Sequence, residues 1–289
     1  MPPKIKSAEF KALLRLEKFA VGRRDRVVEE FWRHVELVVS SLNGVSVTGS
    51  LEETKRRWVY YIDTEGFDIW GTSHKRSCRE RTTIKDGKPE PMRRVSVKYR
   101  DDDIEVADDA LVLPNPKAVR RHNAEDAKEK LEEDVVLKHG EADPLRRIFS
   151  KSGQAEFPDG STFETVGHLA EVFHELKKLK PSIQDKKLAI VNDFVAHEVK
   201  YEGAEIKLDG KCKADVALTF WHRGRKVTEP FAKGELVVAE FSFDYKLKKC
   251  SAAHTAEIGH ELLTKLGSDD WMLGGGDTKT QIAYKSAGS

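Results

Sequence analysis

Cysteine is scarce in this chain: three in 289 residues, Cys78, Cys212 and Cys250. Their number is odd, their spacing is wide and no C-x-x-C pair occurs. That argues against a structural zinc site or a disulfide framework and makes a reducing cytoplasm the expected location. Long apolar runs are missing as well. No stretch approaches the roughly 20 residues of a membrane span, and the N-terminal stretch has no uninterrupted apolar core of the kind a signal peptide needs. The expectation is a soluble chain with no membrane partner. Nor is there a surplus of one charge, since 50 Lys plus Arg face 49 Asp plus Glu for a formal net charge of +1. A chain that held nucleic acid by phosphate attraction would carry a basic excess, so general nucleic-acid binding is not expected. Internal repeats and low-complexity segments are absent.

What the chain does have is charge in alternation. Trp58–Arg100 reads as three strands broken at Glu65-Gly66 and Asp86-Gly87. In the last of them Arg94, Ser96, Lys98 and Arg100 alternate with Val95, Val97 and Tyr99. Side chains of a strand point to opposite faces with period two, so one face is cationic and the other apolar. The middle strand repeats this with Lys75, Ser77, Arg79, Arg81 and Thr83. Lys128–Lys138 fits helix or strand; as a strand it places Lys130, Glu132 and Asp134 on one face. Leu145–Ser152 and Phe194–Tyr201 are further strands. In Ile206–Trp221, Lys211, Lys213 and Asp215 oppose Cys212, Ala214, Val216 and Leu218. In Leu236–Lys246, Glu240, Ser242 and Asp244 oppose Ala239, Phe241 and Phe243.

Ala12–Val21 is read as an opening strand and Lys279–Tyr284 as a closing one. Helical periodicity marks Val27–Leu42, a segment opened by Ser161 with a capping-box spacing to Glu164 and stopped by Pro181, and Ala252–Leu266. Asp101–Arg121, with its acidic run and two prolines, reads as an exposed loop or irregular arm.

A half-buried sheet with a solvated charged face explains any one such strand. Five or six of them beside only about three long helices point instead to one α+β domain over residues 1–289. Its sheet would curl into an antiparallel barrel with charged faces inward and helices packed outside. Charges in a barrel must pair or serve a charged ligand, because isolated buried charge costs several kcal/mol or more. The bases Arg79, Arg81, Lys98, Lys211 and Lys213 suit phosphate oxygens. The acids Glu132, Asp134, Asp215, Glu240 and Asp244 suit a hard divalent cation.

Several motifs resemble the CYTH superfamily, the triphosphate tunnel metalloenzymes. Tyr61-Ile62-Asp63-Thr64, then Arg79-Glu80-Arg81 and Val95-Ser96-Val97-Lys98, are similar to that family's Y-x-D-T, R-x-R and L-x-L-K progression. Glu132-Glu133-Asp134 resembles its central acidic strand, and Val238–Asp244 the late strand that supplies metal-binding acids. Thr278-Lys279-Thr280 with Tyr284 looks like its closing S-K-x-x-x-Y segment. The family's opening E-x-E-x-K strand is matched to Leu14–Phe19, with Leu14 and Leu16 where glutamates are expected.

The resemblance implies an eight-stranded tunnel that binds a small-molecule triphosphate or polyphosphate, or at most the 5′-triphosphate end of an RNA, with Mg²⁺ or Mn²⁺. Arg79, Arg81, Lys98, Lys213 and Lys279 would hold phosphate, with Arg147 and Lys200 as further candidates. Glu132, Asp134, Glu240 and Asp244 would hold metal. No catalytic residue is assigned. The function implied is metal-dependent phosphoanhydride hydrolysis; the alternative is a tunnel that has lost first-strand acids and captures a polyanion without cleaving it. Gly274-Gly275-Gly276 lacks the order of a phosphate-binding P-loop and reads as a turn.

Overall fold

The alternating strands close on themselves. The computed structural model describes residues 4–19, 24–71, 73–137, 145–209, 212–224, 234–273 and 277–286. In chain order these form β1 (Ser7–Leu13), α1 (Arg24–Ser40), β2 (Ser46–Thr48), β3 (Glu52–Asp63), β4 (Arg76–Lys85), β5 (Lys88–Asp101), α2 (Ile104–Asp108), α3 (Pro116–Arg121), β6 (Glu125–Leu137), β7 (Leu145–Pro158), α4 (Val166–Val172), α5 (Pro181–Gln184), β8 (Ala189–Glu202), β9 (Glu205–Asp209), β10 (Cys212–Gly224), β11 (Leu236–Lys246), α6 (Ala252–Gly267) and α7 (Lys279–Lys285).

Strands pair in the order β11-β1-β6-β7-β5-β4-β3-β8-β10, and a β10–β11 pairing shuts the barrel; β9 and β2 extend outside it. The barrel has nine strands rather than eight, and β1 runs parallel to β6 while the other neighbours are antiparallel. The parallel pair follows from the count, because strictly alternating directions cannot close a ring with an odd number of members. The β4–β5 hairpin turns at Asp86-Gly87, both at positive φ (50° and 75°), as a two-residue hairpin turn of matching twist requires.

Outward-facing residues of β1, β10 and β11, including Phe10, Val216, Phe241 and Phe243, form a core beneath α1 and α6. Each large apolar side chain fully buried there contributes about 1.5–3 kcal/mol. Helix α6 approaches so closely that a Cβ on Gly259 would lie 2.5 Å from the Phe10 ring. A second core under α3 and α4 covers the outer faces of β3, β4 and β5 through Tyr60, Cys78, Val95 and Val97. Val97, Ala214 and Phe241 thus point outward, as the alternation requires.

Several expectations are corrected. The opening strand is Ser7–Leu13, and Leu16–Lys18 is a 3-10 turn; the end of the expected Ala12–Val21 strand lies outside the described residues. Asp101–Arg121 carries α2 and α3 and buries Ala107, Ala110, Val112 and Val119. It lies so close to the barrel that a Cβ on Gly153 would sit 1.7 Å from the Val112 carbonyl oxygen. The helix expected from Ser161 starts at Val166, capped by the Thr165 hydroxyl. The closing strand is helix α7, where the Thr278 and Gln281 side chains form a reciprocal capping box. Lys211 and Gly274-Gly275-Gly276 lie outside the described residues. No helix among the described residues is long and apolar enough to cross a membrane.

Cys212 and Cys250 form a disulfide between the start of β10 and the segment before α6, leaving Cys78 free and buried. Under denaturing, non-reducing conditions one thiol should therefore react with a thiol reagent, and three after reduction. Closing a loop of this length contributes up to about 4 kcal/mol in the chain-entropy account, so reduction should lower the melting temperature. Three reactive thiols without reductant would contradict the bridge.

Candidate functional site: a charged tunnel through the barrel

The inward faces enclose a cavity of about 820 Å³. Strand β4 contributes Ser77, Arg79 and Arg81; β5 contributes Ser96, Lys98 and Arg100; β6 contributes Lys130, Glu132 and Asp134. Glu9 and Lys11 enter from β1, Tyr61 from β3 and Glu240 from β11, while α7 adds Lys279 and Thr280. Helix α7 also fills one end of the barrel. Its Ala283 and Tyr284 pack against the inward residues Val59, Tyr61, Phe194, Ala196, Trp221 and Val238.

Asp63 fastens this end. Its carboxylate accepts hydrogen bonds from the backbone N–H groups of Thr64 (2.7 Å), Ile69 (2.9 Å) and Trp70 (2.9 Å) and from the Tyr284 hydroxyl (2.8 Å). Burial raises the Asp63 pKa, and those donors oppose the rise. The Y-x-D-T and closing-Tyr segments, more than 200 residues apart, thus meet in one buried contact. Tyr61 adds a second tie by sharing a hydrogen bond with the Thr280 hydroxyl at 3.0 Å. Burial alone would raise its pKa, but the Arg79 charge, the Thr280 hydrogen bond and the Arg100 and Lys279 charges bring it below the ordinary value.

The charges divide unevenly. Each of the eight carboxylates in the lining has a lysine or arginine nitrogen at 3.9 Å or less. Lys11 lies 2.8 Å from both Glu9 and Asp134, Lys98 lies 3.0 Å from Asp134, and Lys279 lies 2.5 Å from Glu240. The guanidinium groups of Arg79 and Arg81 make no hydrogen bond or ion pair among the described residues, and both Nε atoms are buried without a partner. Among the described residues the Arg100 guanidinium donates only to the hydroxyls of Ser77 (3.2 Å) and Thr280 (3.5 Å). Burial, with the Arg79 and Arg57 charges, holds the Arg81 pKa well below its usual value, and burial lowers that of Arg100. Burial is the largest cause of both shifts; the Glu198 charge opposes it at Arg81 and the Asp134 charge at Arg100, without cancelling it.

Of the residues expected at a phosphate site, the tunnel gathers Arg79, Arg81, Lys98 and Lys279. Lys213 pairs with Glu205 (2.6 Å), Lys200 with Glu202 (2.6 Å) and Arg147 with Glu133, all away from the lining. Of the expected metal ligands, Glu132, Asp134 and Glu240 line the cavity, while Asp244 does not. Sequence reasoning missed Glu9 and Lys11. The stretch Ser7-Ala8-Glu9-Phe10-Lys11 keeps one glutamate and the lysine of an E-x-E-x-K strand, but weak outward residues at Ala8 and Ala12 hid it beside the richer apolar run that follows.

Whether this lining suits Mg²⁺ or Mn²⁺ depends on its oxygen donors. Asp134, Glu9, Asp244 and Asp215 follow one another in register across β6, β1, β11 and β10. Asp134 and Glu9 are held by Lys11, and among the described residues no three His, Cys, Asp or Glu side chains converge as a coordination group. The donors are of the right chemical type, but their arrangement does not fit a ready-made metal centre.

The sequence matches no protein-family profile and no curated protein. Among solved structures, the chain is similar to an adenylyl cyclase candidate from Hippeastrum with a dominant triphosphatase activity. The TM-score is 0.46 at 10% identity, covering 98% of this chain and 96% of that one. It is also similar to an adenylate cyclase candidate from Bacillus halodurans, with a TM-score of 0.38 at 14% identity over 97% and 98% of the two chains.

Asp244 gives a pH test. Burial and the neighbouring Glu9 charge push its carboxyl up to about 6, with Lys130 opposing and Asp215 and Glu132 adding to the rise. A carboxyl with a raised folded-state pKa binds its proton more tightly in the fold, so ionised Asp244 costs stability above about pH 6, and the cost vanishes below the unfolded pKa. Asp244→Asn should raise the melting temperature near neutral pH, by roughly 2–4 °C per kcal/mol of repulsion relieved. Below about pH 4 the variant should match the wild type. A variant less stable at neutral pH would contradict this.

Proposed function

We propose that the tunnel binds the triphosphate group of a small molecule, or inorganic tripolyphosphate, with Arg79 and Arg81 as its principal grip. The observation that carries this reading is the uneven division of charge: every lining acid has a basic partner, whereas these two guanidinium groups make no ion pair among the described residues, and Glu198, whose charge reaches Arg81, is already paired with Arg57. A buried cation without a partner costs several kcal/mol, which an incoming phosphate oxygen would return. The planar guanidinium fork matches phosphate oxygens in pairs. Arg100, Lys98 and Lys279 supply positive charge from β5 and α7, so an extended polyanion would meet cations on more than one wall.

Phosphoanhydride hydrolysis is the activity such a site would support, because phosphoryl transfer depends chiefly on positioning and on offsetting charge at the phosphoryl oxygens. Capture without cleavage is the second reading. It is favoured by one observation, that three of the four carboxylates expected to hold metal, Glu132, Asp134 and Glu240, are occupied by lysines.

Calorimetry with tripolyphosphate tests the binding. Arg79→Ala should weaken it by about 1–3 kcal/mol, the scale of a charge-assisted hydrogen bond, and Arg79→Lys should restore only part. Unchanged binding in Arg79→Ala would remove this residue from the site. Phosphate release from tripolyphosphate, ATP and thiamine triphosphate, with and without divalent metal, separates hydrolysis from capture: turnover identifies the hydrolase, and tight binding without release identifies the capture protein.

A further inference from the structure

Lys11 sits between two carboxylates on adjacent strands. Its Nζ lies 2.8 Å from Glu9 Oε2 and 2.8 Å from Asp134 Oδ1. The other Asp134 oxygen accepts hydrogen bonds from Lys98 Nζ (3.0 Å) and Ser150 Oγ (3.0 Å), so both oxygens are engaged. Asp134 is 6% exposed. Elsewhere in the lining Lys279 holds Glu240 and Lys130 holds Glu132, at 2.5 and 2.7 Å. Divalent cations such as Mg²⁺ and Mn²⁺ need several oxygens turned toward one point. Here ammonium groups already stand at the points where neighbouring strands bring carboxylates together.

We infer that Lys11 occupies the place a divalent cation would need between β1 and β6, and that the tunnel takes up a tri- or polyphosphate without metal. The ligand rests on the triphosphate-binding reading; the lysine-for-metal exchange rests on the side-chain geometry alone. An ammonium between two carboxylates makes two charge-assisted hydrogen bonds and neutralises part of their repulsion, which is the electrostatic task a cation would perform. A metal entering there would have to displace Lys11 into a tunnel wall already populated by Lys98 and Arg100, and like charges at close range oppose that. Asp244 and Asp215 continue the carboxylate row beyond Glu9 with no ion pair among the described residues, although the Lys130 charge acts on Asp244; both lie outside the cavity lining and Asp215 is exposed.

The test titrates Mn²⁺ into the full chain, followed by electron paramagnetic resonance, with calorimetry of tripolyphosphate in parallel. The wild type should show no saturable Mn²⁺ site, and it should bind tripolyphosphate equally well, within about twofold, whether or not a chelator is present. Lys11→Met, which frees Glu9 and the Asp134 Oδ1 oxygen, should gain a saturable Mn²⁺ site, whereas Lys11→Arg should behave as the wild type. A saturable Mn²⁺ site in the wild type would overturn the inference, as would tripolyphosphate binding that weakens about tenfold or more in chelator. So would a folded Lys11→Met variant that gains no Mn²⁺ site. If tripolyphosphate binds under no condition, the triphosphate reading fails, and the Mn²⁺ titration still decides the exchange because it needs no anion.

Discussion

Charge enclosed by a closed barrel must find charge of opposite sign, and most of this molecule's interior follows from that constraint. Nine strands direct their polar faces inward, and β10 meets β11, so the polar faces share one enclosed space. Isolated ions there are too costly to keep, so the lining carboxylates Glu9, Glu132, Asp134 and Glu240 are each matched by a lysine. The matching stops at β4. Arg79 and Arg81 face the same space with no ion pair among the described residues, and the proposed grip on an anion rests on this departure from internal pairing.

The same enclosure explains the two ends of the sequence. A barrel mouth lined by Tyr61, Phe194 and Trp221 would leave apolar surface in water unless something filled it. Helix α7 fills it, anchored through Tyr284 to Asp63, and in doing so delivers Lys279 and Thr280 to the tunnel. Packing at this mouth and charge in the tunnel are therefore set by one short helix. On the proposed reading, the lysine-held carboxylates separate two properties that metal-dependent phosphate chemistry usually joins, the binding of anion and the binding of cation.

Much of this was legible from alternation. The inward rows of β4 and β5 follow directly from period two, because their outward partners are strongly apolar and leave one possible register. The same rule correctly turned Val97, Ala214 and Phe241 outward. Alternation gives the face of a strand but not its height along the barrel, which is why Lys213, Lys200 and Asp244 have suitable spacing yet lie outside the lining. Strand β1 escaped because Ala8 and Ala12 bury little surface, while Leu14 and Leu16, beyond its end, advertise a longer strand that is not there. Helix α7 left a signal that could have been used, since Thr278 and Gln281 have capping-box spacing. The Cys212–Cys250 bridge left none, because two cysteines 38 residues apart meet only through the tertiary fold.

A structure of the chain crystallised with tripolyphosphate, compared with one of the Arg79→Ala variant under the same conditions, tests the account most directly. The account predicts phosphate oxygens inside the barrel, within hydrogen-bonding distance of both Arg79 and Arg81, and a lower occupancy of the tunnel in the variant. Tripolyphosphate bound to the outer surface, or bound inside with neither guanidinium in contact, would contradict it.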